Sequence, residues 1–123
     1  MARVTGLGGV FYKVEDSEAT ARWYKETLGV GGEWGATFAF AAAPDGYSVL
    51  SPFKASSDYF EPSGCPFMIN LRVDDLDAMI AELETKGIDI LGRQDEVYGK
   101  FAWILDCDGI KVELWQQVGP APE

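Results

Sequence analysis

The sequence contains no histidine and only two cysteines, and these absences exclude several kinds of site. Without histidine, zinc, nickel and iron centres lose their commonest nitrogen ligand. Cys65 and Cys107 lie far apart, outside any C-x-x-C spacing, and Cys107 stands between two aspartates that disfavour a thiolate. We therefore expect two reduced thiols that take part in neither redox chemistry nor nucleophilic catalysis.

Positive charge and long apolar runs are also scarce. Ten Lys and Arg residues face twenty Asp and Glu residues, which leaves a net charge of −10. Nucleic acids and anionic membranes are polyanions, so we expect neither as a partner, and a cationic ligand is electrostatically favoured. There is no run of 18 apolar residues and no basic-then-apolar N-terminal signal, which favours a cytoplasmic location.

An internal repeat is the most informative feature that is present. The segment VFYKVEDSEATARWYKETLG, residues 10–29, has the same plan as FMINLRVDDLDAMIAELETKG, residues 67–87. Each copy is followed by an Asp-Gly turn, and neither is large enough to bury a core alone. We predict one domain over residues 1–123, with module one at about 6–52, a linker at 53–66 and module two at about 67–117.

Each module is predicted to run as one strand, one helix and three strands. In module one, residues 7–14 alternate weakly as a strand, Asp16 or Ser17 caps the helix, and Gly29 ends it. The aromatic side chains of this helix are predicted to pack in the core. The turn Pro44-Asp45-Gly46 then joins a hairpin of residues 34–43 and 47–50.

Module two repeats this order with stronger signals. Asp75 is the predicted cap of a helix that ends at Gly87. The strands are predicted at residues 67–73, 88–91, 100–105 and 110–115.

Alternation along the strands assigns side chains to two faces of the sheet. Ile69, Leu71 and Val73 are predicted to face the helix, and the residues between them to face away. The candidate ligand-binding residues are Phe11, Lys13, Met68, Asn70, Arg72, Tyr98, Trp103, Lys111, Glu113 and Trp115. This mixture of aromatic and polar groups on a concave sheet fits a small-molecule pocket, and coverage of the face by another subunit is the alternative.

Two kinds of residue on this face have open roles. Glu113 is a candidate general base or ligand anchor, because an apolar cavity raises the pKa of a carboxyl group toward values that are useful in catalysis. Alternatively, it forms an ion pair with Lys13 or Arg72. Trp103 and Trp115 either stack on a planar ligand or fill the core.

The paired modules, the segments WYKETLGV and RVDDLDAMIAELETKGI and the ending LDCDGIKVELWQ resemble the vicinal oxygen chelate superfamily. That superfamily includes glyoxalase I, extradiol dioxygenases and bleomycin-resistance proteins. The resemblance covers about residues 7–116. It implies an α+β fold in which two βαβββ modules form a strongly curved mixed sheet with a cavity, and one fold of this kind hosts several chemistries.

In the metal-dependent members, four ligands come from equivalent strand positions, which correspond here to Gly9, Leu50, Met68 and Glu113. The internal repeat supports this correspondence, since it pairs Gly9 with Met68 and Leu50 with Glu113. Only Glu113 is a good ligand for a divalent ion. The resemblance therefore implies a member without a metal or another cofactor.

We expect a metal-free protein that binds, and sequesters, a small organic ligand or drug, as in the bleomycin-resistance branch, where two subunits of a homodimer form the crevices. The alternatives are a metal-independent isomerase or lyase with Glu113 as base, a metal-dependent glyoxalase or dioxygenase with an atypical site, and an interaction module without a small ligand. Lys13, Arg72 and Lys111 count against a cationic drug.

Overall fold

The helices and strands of the protein lie mainly in its second half. The structure, a computed structural model, describes residues 2–4, 6–32 and 35–122. In chain order its elements are helix α1 (Ser17–Trp23), a π-helical turn (Tyr24–Leu28), a 3-10 turn (Phe40–Ala42), β1 (Ile69–Arg72), α2 (Leu76–Thr85), β2 (Gly92–Glu96), β3 (Gly99–Leu105) and β4 (Lys111–Gln117). None of the helices in the described ranges is long and apolar enough to cross a membrane.

Both helices begin where the sequence predicts, and the predicted Gly29 and Gly87 follow the π-helical turn after α1 and the end of α2. Asp16 and Asp75 each accept a hydrogen bond from the backbone N–H three residues on, at 3.1 and 3.0 Å, which satisfies a free donor of the first helical turn. Gly29 and Gly87 follow the last turns with φ of 71° and 77°. Glycine adopts this left-handed backbone without the steric cost that a Cβ would bring.

The four strands form one mixed sheet in the order β1, β4, β3, β2. β4 pairs parallel with β1 and antiparallel with β3, which in turn pairs antiparallel with β2. The register places Asn70 opposite Glu113 and Arg72 opposite Trp115. Because α2 lies between β1 and the other strands in the chain, it provides the crossover that a parallel pair needs.

The core lies between one face of this sheet and the helices. Ala102, Ile104, Val112 and Leu114 point toward α2, where Leu76 and Leu83 are fully buried. Trp23, Tyr24 and Leu28 pack against the same cluster, as predicted for the first helix. Burial of each leucine or isoleucine contributes roughly 1.5–3 kcal/mol, so this cluster is the main source of folding free energy.

The predicted α+β class is confirmed, but the strands predicted for module one are wrong. Residues 7–14, 35–43 and 47–50 form no strand, and Trp34 lies outside the described residues. Phe11 is 96% exposed and Leu50 is 85% exposed. A strand is held by hydrogen bonds to a neighbouring strand, and these segments have no such neighbour within the described part of their own chain.

The strand predicted at residues 88–91 is also misplaced. Ile88 and Ile90 pack against the core cluster, and the strand begins only at Gly92. β2 reads GRQDE and is almost entirely exposed. An edge strand has a partner on one side only, so its polar residues stay in water and give no apolar signal in the sequence.

Candidate functional site

The face of the sheet that points away from the helices carries the candidate site, and we call it the open face. Along β4 the core residues Val112 and Leu114 alternate with residues that point the other way. The residues of the open face contact one another through hydrogen bonds or ring contacts: Asn70, Arg72, Phe101, Trp103, Lys111, Glu113 and Trp115.

Glu113 is at the centre of the open face and is only 7% exposed. Its carboxylate accepts three hydrogen bonds, from Tyr59 Oη at 2.5 Å, Asn70 Nδ2 at 2.7 Å and Trp103 Nε1 at 2.8 Å. The ion pair considered from the sequence is not formed, because neither Lys13 nor Arg72 lies within 4 Å of this carboxylate. Neutral donors therefore hold a buried negative charge, and hydrogen bonds to an ionised acceptor are the stronger kind.

Tyr59 reaches this carboxylate from the segment predicted as a linker. Burial, followed by the hydrogen bond to Glu113, raises the pKa of Tyr59 above its ordinary value. The phenol is therefore protonated at neutral pH and remains a donor. No pattern in the sequence indicates this role directly, although Phe53, Tyr59 and Phe60 make the linker aromatic and pack against one another.

Lys111 completes the surroundings of Tyr59. Its ammonium donates a hydrogen bond to the Tyr59 carbonyl at 2.5 Å. The same Nζ lies 5.0 Å from the ring centroid of Tyr59 and 5.5 Å from that of Trp103. A cation at this distance from an aromatic face is attracted by the ring quadrupole. Lys111 thus fixes both the backbone and the ring of Tyr59.

Trp115 lies further along β4 and is buried. Its ring is parallel to that of Phe101, with centroids 6.3 Å apart, and lies at 75° to that of Tyr47, with centroids 5.0 Å apart. A Cβ on Gly99 would lie 2.5 Å from Trp115 Nε1, so only glycine leaves room for this indole. Of the two roles considered from the sequence, packing fits Trp115, whereas Trp103 points its N–H at the Glu113 carboxylate.

Arg72 marks the edge of the open face beside Trp115. Its guanidinium lies 6.0 Å from the Trp115 ring centroid and donates to the Tyr47 carbonyl. These contacts leave the side chain exposed. Arg72 can therefore meet a ligand from solvent.

Four of the ten predicted residues do not belong to the open face. Phe11 and Lys13 are exposed on a segment that pairs with no strand, which corrects their placement on the sheet. Met68 is half-buried immediately before β1. Tyr98 lies in the β2–β3 turn, and its ring contacts Phe101 at 5.9 Å. Alternate residues of a segment lie on one face of a sheet only when that segment pairs with a strand of the sheet.

A second polar cluster, at the β3–β4 turn, ties the first helix to the sheet. Asp106 is buried and accepts hydrogen bonds from Tyr24 Oη at 2.6 Å and from the backbone N–H groups of Asp108 and Ile110. Burial, with the Asp106 carboxylate beside it, raises the pKa of Tyr24. Burial and Asp108 raise the pKa of the Cys107 thiol, which disfavours the thiolate.

This cluster predicts a loss of stability in alkali. The ordinary tyrosine pKa is 10.0, and that of Tyr24 is higher in the folded chain. Above pH 10 the unfolded chain therefore loses a proton that the folded chain keeps, so the free energy of unfolding falls as the pH rises. Tyr24→Phe should flatten this fall in urea titrations between pH 9 and 11. It should also cost about 1–3 kcal/mol at pH 7, because Asp106 loses a donor.

Tyr98→Phe is the matched control for removal of a tyrosine hydroxyl, since the Tyr98 side chain is exposed. It should leave the free energy of unfolding at pH 7 within about 0.5 kcal/mol of the parent. If the free energy of unfolding falls equally steeply between pH 9 and 11 in Tyr24→Phe and in the parent protein, the loss of stability does not come from Tyr24.

The residues at the family's four metal-ligand positions do not fit a divalent ion. Gly9 and Leu50 offer no donor, Met68 offers a soft thioether, and the Glu113 oxygens accept three hydrogen bonds from neutral groups. In the described ranges no group of three or more His, Cys, Asp or Glu side chains could hold a metal ion. The absence of a bound metal remains a prediction.

The fold defines an α+β protein with a mixed, open sheet that has helices on one face. The chain belongs to the Glyoxalase/Bleomycin resistance protein/Dioxygenase superfamily, whose family model matches residues 6–114. No curated protein sequence matches the chain.

Several solved structures are similar to this chain. TnmS3, an antibiotic binding protein from Streptomyces sp. CB03234, is 28% identical over 85% of this chain and 89% of its own, with a TM-score of 0.53. A protein from the mobile metagenome of V. Pseudocholerae is 17% identical over 97% and 99%, with a TM-score of 0.60. A superfamily member from Sphaerobacter thermophilus is 21% identical over 85% and 90%, with a TM-score of 0.53. The last two show the fold alone.

Proposed function

We propose that this protein is a metal-free binder of a small organic molecule, of the antibiotic-binding type, and that its ligand occupies the open face. The observation that carries the proposal is the Glu113 carboxylate, which is buried, accepts only neutral donors and is surrounded by aromatic rings. The similarity to TnmS3 supports the same class of function.

The open face offers the two things that a small-molecule site requires, apolar area and a few oriented polar groups. Trp103 and Phe101 supply ring surface, while Asn70 and Glu113 supply an amide and a carboxylate. Lys111 and Arg72 lie at the two ends of this row and are available to acidic groups of a ligand.

Binding is favoured over general-base catalysis by the hydrogen bonds of Glu113. A carboxylate offers about four lone-pair sites, and three of them already accept protons from Tyr59, Asn70 and Trp103. A base must have a free lone pair directed at the proton that it abstracts. The arrangement anchors and orients a ligand, and it leaves little capacity for proton transfer.

A thermal-shift screen of antibiotics and small aromatic compounds tests this function. A ligand at 100 times its Kd adds about 2.7 kcal/mol to the free energy of unfolding, which is a readily measured shift in Tm. Stabilisation by an antibiotic that is recovered unchanged supports a binder. Conversion of the compound during incubation would overturn the proposal in favour of an enzyme. A screen in which no compound shifts the Tm would count against the proposed binding function.

We further propose that two copies associate through the segments of module one. Residues 7–14 and 47–50 carry large exposed apolar side chains, among them Phe11 and Leu50, and they pair with no strand in the described ranges of their own chain. Apolar side chains on an unpaired backbone favour pairing with another chain. In a two-fold symmetric homodimer, the same segments of a second copy supply this partner.

Light scattering at micromolar concentration should therefore give twice the 13.5 kDa mass of one chain. Phe11→Lys should shift the mass toward the monomer, because it places a charge in the apolar contact. Val97→Lys, at an equally exposed valine in the β2–β3 turn, should leave the mass unchanged. A monomeric parent protein, or a dimer that both variants leave intact, would contradict the arrangement.

A further inference from the structure

The open face already holds one aromatic group that belongs to no strand of the sheet. Tyr59 comes from the linker, 54 residues before Glu113, and its ring is nearly perpendicular to that of Trp103, with centroids 6.1 Å apart. Its hydroxyl donates to Glu113 Oε2, and Lys111 Nζ lies over its ring. The hydroxyl and the ring of this phenol therefore both have partners on or beside the open face.

We infer that the site on the open face recognises a phenol, and that Tyr59 occupies it as a stand-in that a phenolic ligand displaces. The inference rests on the proposed function, since it names the class of molecule that the binder takes. It follows from the partners themselves: a carboxylate oxygen accepts the hydroxyl proton, an indole packs against the ring, and an ammonium faces its π-system.

These partners select against related compounds. An aromatic ring without a hydroxyl leaves one lone pair of Glu113 without its donor, and a buried acceptor without a partner is costly. A saturated alcohol keeps the hydrogen bond but has no π-system for Lys111. A phenolate has no proton to donate and would place a second negative charge beside the carboxylate. A neutral phenol donates the hydrogen bond to Glu113, offers a π-system to Lys111 and adds no second negative charge.

Tyr59 is also placed so that it can leave. The residue is 37% exposed, and its side chain is tied to the sheet by one hydrogen bond and two ring contacts. Its backbone stays near the sheet through the Lys111 bond to its carbonyl. The phenol can rotate outward without loss of the core between the sheet and the helices, because no residue of the linker belongs to that core.

The experiment removes the side chain of Tyr59 and adds it back as a free molecule. Tyr59→Ala deletes the hydroxyphenyl group and keeps Cβ. The probe is 4-methylphenol, which is the free form of a whole tyrosine side chain, and toluene and 4-methylcyclohexanol are its comparisons. Binding is followed by NMR on the indole N–H of Trp103, which donates to the same carboxylate. Phe40→Ala, which truncates an exposed aromatic residue in the 3-10 turn outside the sheet, is the control.

We expect 4-methylphenol to bind Tyr59→Ala at millimolar concentration, at least tenfold more tightly than it binds the parent protein or Phe40→Ala. Toluene and 4-methylcyclohexanol should bind the same variant at least tenfold more weakly. Equal binding of 4-methylphenol to all three proteins, or equal binding of the three compounds, would overturn the inference. Should Tyr59→Ala not fold, Tyr59→Phe gives the second test, because loss of its hydroxyl should let 4-methylphenol compete better than in the parent protein.

The two proposals can fail separately. A parent protein stabilised by an antibiotic without any phenol, combined with no preference for 4-methylphenol in Tyr59→Ala, would leave the binding function and remove the phenol inference. Selective binding of 4-methylphenol to Tyr59→Ala, combined with enzymatic conversion of every larger ligand, would keep the phenol site and remove the binding function.

Discussion

Glu113→Leu is expected to weaken ligand binding on the open face by roughly ten- to a hundredfold, because a hydrogen bond to a charged group is worth about 1.5–3 kcal/mol. The substitution keeps the approximate volume of the side chain and removes both acceptor oxygens. Tyr59, Asn70 and Trp103 then lose their common partner. The measurement is the Kd, by calorimetry, of an antibiotic that stabilises the parent protein.

Glu113→Gln is the control that separates charge from shape. Its amide keeps one acceptor oxygen for Tyr59 and Trp103, and the Asn70 amide can rotate so that its oxygen accepts from the new NH2 group. We expect its Kd to lie between those of the parent protein and Glu113→Leu. An unchanged Kd in Glu113→Leu would place the ligand away from the open face and contradict the proposed function.

The free energy of unfolding tests whether the Glu113 arrangement serves binding or stability. Removing a buried ion and its partners' acceptor has opposing effects, since the desolvation cost of the ion disappears together with its hydrogen bonds. Three donors also lose their acceptor, so we expect a net loss of about 1–3 kcal/mol in Glu113→Leu. A loss much larger than this, with binding retained, would assign the carboxylate a structural role.

The arrangement of module two could be predicted from its sequence because its signals are local. Asp75 and Gly87 mark the ends of α2, and alternation in β1 and β4 places Asn70 and Glu113 on one face. Each of these features depends on residues close together in the chain, or on a period of two that every paired strand obeys. The sequence therefore indicated most of the open face before the structure did.

The parts that could not be predicted depend on partners distant in the chain. Tyr59 meets Glu113 across 54 residues, and no periodicity in an aromatic, Pro- and Ser-rich linker indicates where its rings pack. The strand predicted at residues 7–14 has the right alternation but no neighbour in the described part of the chain. A sequence pattern states which face a strand would present, and it does not state whether a second strand is there to pair with it.

Leu114→Ala is expected to have the largest effect on stability of any single change considered for this chain. Leu114 lies on β4, the strand that pairs with both β1 and β3, and its side chain is fully buried against the helices. Truncation of a buried leucine to alanine removes transfer free energy and leaves a cavity, at a cost of about 2–5 kcal/mol. Total stabilities of about 5–15 kcal/mol are usual for domains, so this loss is a large fraction of the total and could unfold a domain at the lower end of the range.

Urea denaturation of Leu114→Ala should show a lower midpoint with an unchanged slope, and Tm should fall by roughly 10 °C. Val97→Ala, which truncates an exposed residue in the β2–β3 turn, should stay within about 0.5 kcal/mol of the parent. Both are compared at one protein concentration, because association of two copies adds to the apparent stability. A loss below about 1 kcal/mol in Leu114→Ala would mean that contacts outside this cluster, such as those between two copies, supply most of the folding free energy.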